Sequence, residues 1–120
     1  MTAAATLPLE LITTEELLAM PDGMDRDLIR GRLREPSMTR RNRLHSRTEA
    51  IITRILDAWR VTRPQPQGEV VVGEAGFRIL KNPDTTVGID VAYISPEMAA
   101  ANPIDTLLID GPPVLAVEIL

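Results

Sequence analysis

The hydrophobic period of this chain changes at Pro64 and Pro66. Upstream, from about Thr39 to Arg60, Leu44, Thr48, Ile51, Ile52, Ile55, Leu56 and Trp59 recur at helical spacing, which predicts a helix with one apolar face. The prolines close that segment, since neither can donate to a helical ladder. Downstream the texture is that of strands. EVVVGEAGFRIL (69–80) reads as a strand, a glycine-bearing turn or kink, and a second strand, and VGIDVAYI (87–94) as a third. VLAVEIL (114–120) is a final strand-like run, whose solitary apolar edge predicts either pairing with another chain, as in a homo-oligomer, or an incomplete domain.

Local signals fill the gaps. TTEELLAM (13–20) opens with a threonine and places Glu16 three positions on, the capping box of a short helix ended by Pro21, Asp22 and Gly23. DLIRGRLRE (27–35) alternates around Gly31 as two strand arms and a turn. Ser95 and Pro96 read as cap and first residue of a short helix through Ala101, and 102–113 as a loop.

Charge is unevenly placed. The chain of 120 residues has a net charge of −4, yet residues 26–63 hold eleven of the twelve arginines against Asp27, Glu35, Glu49 and Asp57, a local balance of +7. Such a segment suits a polyanion, and the acidic remainder suits solubility. The absence of cysteine excludes disulfides, thiolate nucleophiles and sulfur-built zinc sites, and fits a reducing, cytoplasmic setting. The first twenty residues lack basic residues ahead of their apolar stretch, so they read poorly as a signal peptide, and no apolar run approaches a membrane span. Trp59, Phe77 and Tyr93 are too few for a base-stacking surface.

Two carboxylates interrupt apolar strand-like runs, Asp90 and Glu118. Burying an unpaired charge costs several kcal/mol, so each needs a cation, a hydrogen-bonding network or a solvated face. Period-two alternation puts Asp90 on one face with Ala92 and Ile94, and Glu118 with Ala116 and Val114. If the two strands pair antiparallel with Asp90 opposite Glu118, Ala92 falls opposite Ala116, and a divalent cation between the acids would relieve their repulsion. On spacing alone the plainer reading stands first: Asp90 following Gly88 out of a turn, Glu118 at a solvated edge. His45 falls about 20° from Ile52, inside the apolar stripe, where a lone histidine is more often a core residue. Glu49, one turn later, is placed to orient it. Arg43, Arg47 and Arg54 fall on the opposite side, a solvated face by default and a phosphate-binding one by its charge excess.

TTEELLAMPD, DLIRGRLRE, the helix opening with His45, GEAGFRIL, GIDVAYIS and GPPVLAVEIL follow one another in the order of blocks of the Uma-type restriction endonuclease family. Over nearly its whole length the chain resembles that family, part of the PD-(D/E)xK nuclease-like superfamily. The resemblance implies an α/β fold, a restriction-endonuclease-like mixed sheet flanked by helices, and metal-dependent hydrolysis of DNA phosphodiester bonds. By motif position it implies that Asp90 and Glu118 are metal ligands binding Mg²⁺ or Mn²⁺, with Asp27 as a further catalytic acid. Ile89 stands where the family usually has proline, Asp27 where it has glutamate, Arg26 where it has tyrosine, and Leu120 where the superfamily pattern puts its lysine. Lys81, the one lysine present, ends the GEAGFRIL strand, a position that motif does not use.

The reading is therefore of one restriction-endonuclease-like domain over 1–120, incomplete at its C-terminus. Its expected activity is that of a Mg²⁺- or Mn²⁺-dependent endonuclease, weak or absent without the lysine. DNA is the expected partner, with Arg43, Arg47 and Arg54 on phosphates and His45 and Glu49 behind the metal ligands. The alternatives are a nucleic-acid-binding remnant without catalysis and a protein-interaction module.

Overall fold

The computed structural model describes residues 10–34 and 40–120. The apolar N-terminal stretch before Glu10, Glu35 at the end of the predicted hairpin, and Thr39 at the predicted helix start lie outside the described residues.

Helix α1 (Thr14–Ala19) forms at the capping box: the Thr13 hydroxyl accepts the Glu16 amide, and the Glu16 carboxylate accepts the Thr13 amide at 3.0 Å. A 3-10 turn (Gly23–Asp25) leads to β1 (Leu28–Ile29) and β2 (Arg32–Leu33). Arg30 and Gly31 join them with φ of 50° and 80°, the paired positive dihedrals of a tight hairpin.

Helix α2 spans Arg43–Arg60. It starts later than the periodicity predicts because Asn42 caps it, its side-chain oxygen accepting the His45 amide at 2.8 Å. The apolar stripe is wider than the strip that the sheet covers. His45 is buried and Ile52 and Leu56 are half-buried, but Leu44, Ile51, Ile55 and Trp59 are exposed.

After the prolines, β3 (Glu69–Leu80) is one continuous strand, so the glycine at 73 marks a kink and not a turn between two strands. Gly73 and Glu74 adopt φ of 85° and 62°. Val72 pairs with Val91 and Ala75 with Ile89, so these two residues oppose the single Asp90 in a bulge. The partner strand β4 (Thr85–Ile94) begins slightly earlier than predicted and is buried along most of its length. Ser95 caps α3 (Pro96–Ala101), its hydroxyl accepting the Met98 amide at 3.0 Å.

The segment expected to be loop contains β5 (Ile109–Asp110), parallel to β3. β6 (Leu115–Val117) lies antiparallel to β4 with Ala92 opposite Ala116, the register expected from the two acids. The last strand thus pairs within the chain along β4, and no second strand pairs with it among the described residues. β4 carries β3 along one edge, so the other is shared by β1, with Leu28 opposite Thr86, and β6. The result is a mixed six-stranded sheet in the order β2-β1-β4-β3-β5, with β6 beside β4.

Alternate residues of β3 meet different helices, which places the sheet between α2 and α3. Val70 and Val72 line a groove against Ser46, Ala50 and Thr53 of α2, whereas Val71 packs on the core of Phe77, Ile89, Ala92 and Ile94 with Met98 and Ala99 of α3. The predicted shared face of Asp90, Ala92 and Ile94 is not what forms, because the alternation slips at the bulge. Asp90 turns to His45 of α2, and Tyr93 meets Trp59 of α2 edge-to-face with ring centroids 5.1 Å apart, while Ala92 and Ile94 enter the α3-side core.

One buried network ties α1 to the start of β4. The Thr14 amide and hydroxyl donate to Asp84 Oδ2 at 2.8 and 2.6 Å, and the Thr14 and Thr86 hydroxyls are 2.7 Å apart. Burial works to raise the Asp84 carboxyl, yet the bonds from Thr14 and Asn82 and the charge of Arg78 hold it below the usual aspartate value. No helix among the described residues is long and apolar enough to cross a membrane.

Candidate active site

The bulge in β3, the middle of β4 and the first turns of α2 enclose a cleft of about 400 Å³. Asp27, Arg41, His45, Glu49, Glu74 and Asp90 line it. Tight packing around β4 buries Asp90 to 1% exposure. Its Oδ2 accepts the Ile119 amide at 2.8 Å and lies 3.3 Å from His45 Nε2, while its Oδ1 is buried without a hydrogen-bond donor.

Glu118 follows β6 and comes alongside Asp90, as the register requires. Its Oε1 accepts the Asp90 amide at 3.4 Å. Burial, then the charges of Asp90 and Asp27, push the Glu118 carboxyl above its usual value. Asp27, just before β1, reaches the same edge of β4, where its Oδ1 accepts the Gly88 amide at 3.3 Å. The three acids singled out in the sequence are thus gathered around one strand.

His45 sits on the sheet-facing side of α2, 8% exposed, with neither ring nitrogen in an aligned hydrogen bond. Its Nδ1 is 4.0 Å from Glu49 Oε2, and Glu49 Oε1 accepts the Gly73 amide at 3.1 Å. Glu49 therefore holds the bulge as well as flanking the histidine. Arg43, Arg47 and Arg54 are exposed, as the helical spacing predicts, but none lines the cleft. Lys81 pairs with Asp110 at 3.3 Å, and neither residue lines the cleft.

Sequence reasoning passed over two residues here. Glu74 Oε1 lies 3.2 Å from Arg41 Nη2 at the rim, and its carboxyl lines the same cleft as that of Asp90. The neighbouring Asp90 side chain, then burial and the Asp90 charge, raise Glu74 from 4.5 to about 7 against the opposing pull of Arg41. Burial alone would raise Asp90 too, but the neighbouring Glu74 side chain, the Ile119 amide and His45 hold it below its usual value. The available signal was a glycine inside a strand, which marks a bulge and a re-aimed neighbour. Arg41 was hidden among the other arginines.

Residues 14–120 match the Uma2 family, described as putative restriction endonucleases. The chain belongs to this family. No curated protein matches it significantly. The mixed sheet between helices is consistent with the restriction-endonuclease-like fold that Uma2 membership implies. Families of this kind usually use divalent metals, and among the described residues no three His, Asp or Glu side chains stand close enough to hold an ion as they are placed here. The donors nevertheless suit a hard cation. They are carboxylate oxygens, one of them the orphaned Asp90 Oδ1, and Mg²⁺ sites commonly take only one or two carboxylates with water and phosphate completing the shell.

Proposed function

We propose that this Uma2-family chain is a divalent-metal-dependent endonuclease that hydrolyses DNA phosphodiester bonds at the Asp90 cleft. The observation that carries this reading is the convergence on Asp90, a buried carboxylate with an unsatisfied oxygen, of Glu118 from the neighbouring strand. Asp90 and Glu118 would hold Mg²⁺ or Mn²⁺, with Asp27 at the same strand edge. When bound, such a cation stabilises charge on a phosphate oxygen and lowers the pKa of a water molecule.

The chain's own residues supply the rest. His45 and the Ile119 amide fix the Asp90 carboxylate from one side, so its free oxygen faces a definite direction. Arg41 brings a guanidinium to the rim, where a phosphate oxygen would be drawn in. Arg43, Arg47 and Arg54, away from the cleft, would meet the backbone of a longer duplex.

Nicking of supercoiled plasmid with Mg²⁺ or Mn²⁺ tests the reading. Slow nicking is expected, absent in EDTA and lost in Asp90→Ala and Glu118→Ala. Nicking that survives both substitutions would overturn the assigned site. Salt-sensitive DNA binding without any nicking would replace catalysis by binding alone.

A further inference from the structure

We infer that Glu74 is an additional metal ligand of this site, delivered to Asp90 by the two-residue bulge of β3 and admitted by Gly88. The inference rests on the metal-dependent reading above and deepens it.

Geometry carries the argument. The bulge sets Gly73 and Glu74 against Asp90 alone, so an acid that would alternate away in a regular strand is re-aimed into the cleft. Glu49 holds the bulge through the Gly73 amide. The Glu74 side chain lies over Gly88, two residues before Asp90 on the same strand: a β-carbon at Gly88 would stand 2.7 Å from Glu74 Oε2 and 3.3 Å from its Cβ. A side chain there would push the Glu74 carboxylate from its present position.

The destination is a ligand site by a separate observation. Asp90, 1% exposed, presents an oxygen with no donor, and His45, 8% exposed, stands beside it with both ring nitrogens unsatisfied. Pressing a second carboxylate against a buried one is unfavourable unless a proton or cation lies between them. Arg41 meets Glu74 at the half-exposed rim, its Nη2 3.2 Å from Glu74 Oε1. The carboxylates of Asp90, Glu118 and Glu74 being hard oxygen donors, the cation class is Mg²⁺ or Mn²⁺.

Titration calorimetry with MnCl₂ alone, on the full chain, decides the matter, with circular dichroism to check folding. Wild type is expected to bind Mn²⁺ and Asp90→Asn to lose it. Glu74→Gln is expected to weaken binding at least ~10-fold. Gly88→Ala keeps every carboxylate but displaces Glu74, and is expected to weaken binding in the same direction. Wild-type affinity in both Glu74→Gln and Gly88→Ala, with binding lost in Asp90→Asn, would overturn the role of Glu74 and leave the metal site standing. Wild-type affinity in Asp90→Asn, or no binding by the wild type, would overturn both.

Discussion

Replacing Asp90 by asparagine should stabilise the metal-free protein while disabling it. In the wild type the neighbouring Asp90 carboxylate, with burial, raises Glu74 from 4.5 to about 7. At about 1.4 kcal/mol per tenfold change in proton affinity, that corresponds to ~3 kcal/mol of unfavourable interaction once both are ionised. The Glu74 side chain is 44% exposed, so solvent screening reduces this to ~1–2 kcal/mol. The sign follows from linkage: the folded state holds the Glu74 proton more tightly than the unfolded state. This contribution is therefore fully present below pH 4.5 and is lost as pH rises through about 7.

In Asp90→Asn the amide oxygen still accepts from Ile119, and the amide nitrogen, in the place of the orphaned Oδ1, donates to Glu74. Urea unfolding without metal, followed by the fluorescence of the single tryptophan, Trp59, would measure the difference. The variant should be more stable by ~1–2 kcal/mol near pH 8, and the gain should vanish near pH 5, where Glu74 keeps its proton and serves as the donor. A variant destabilised at both pH values, or a difference that does not change with pH, would refute the Glu74–Asp90 repulsion.

Asp84→Ala removes the acceptor of the Thr14 amide and hydroxyl in a buried setting, and should cost about 3 kcal/mol in the same unfolding assay. Because Asp84 is held below its usual value, that stability is present above about pH 4 and is lost as pH falls further, so the gap between variant and wild type should narrow in acid. The combined Arg43→Ala, Arg47→Ala and Arg54→Ala variant should lower the salt dependence of duplex binding, measured by anisotropy, by about one unit of log–log slope per phosphate contact removed. An unchanged slope would take this helix face out of the DNA path.

Much of the fold can be read residue by residue from the sequence. The Thr13–Glu16 box, the Arg30–Gly31 turn, the Ser95–Pro96 cap and the body of α2 depend on interactions within a few positions, and each forms as the local pattern predicts. Asp90 and Glu118 were visible because a charge in an apolar run is conspicuous, and supposing them opposite one another puts Ala92 opposite Ala116, the register that forms. The short β5 was not visible: its two residues pair with β3 from more than thirty positions away, and nothing local marks them. The α2 stripe was overread, since periodicity reports which side is apolar and not how much of that side the sheet covers.

The sequence by itself determined the helix, the strand runs, the two central acids and the family to which they belong, because periodicity, caps and ordered motif blocks are properties of neighbouring residues. Only the tertiary structure decided that Glu74 joins Asp90, that Arg41 and not Arg43, Arg47 or Arg54 stands at the cleft, and that Ala92 and Ile94 turn from Asp90 to the other face. The physical reason is the bulge. By opposing two residues to one it shifts the phase of a whole sheet edge, and such a shift is set by pairing across strands, which no single strand's alternation records.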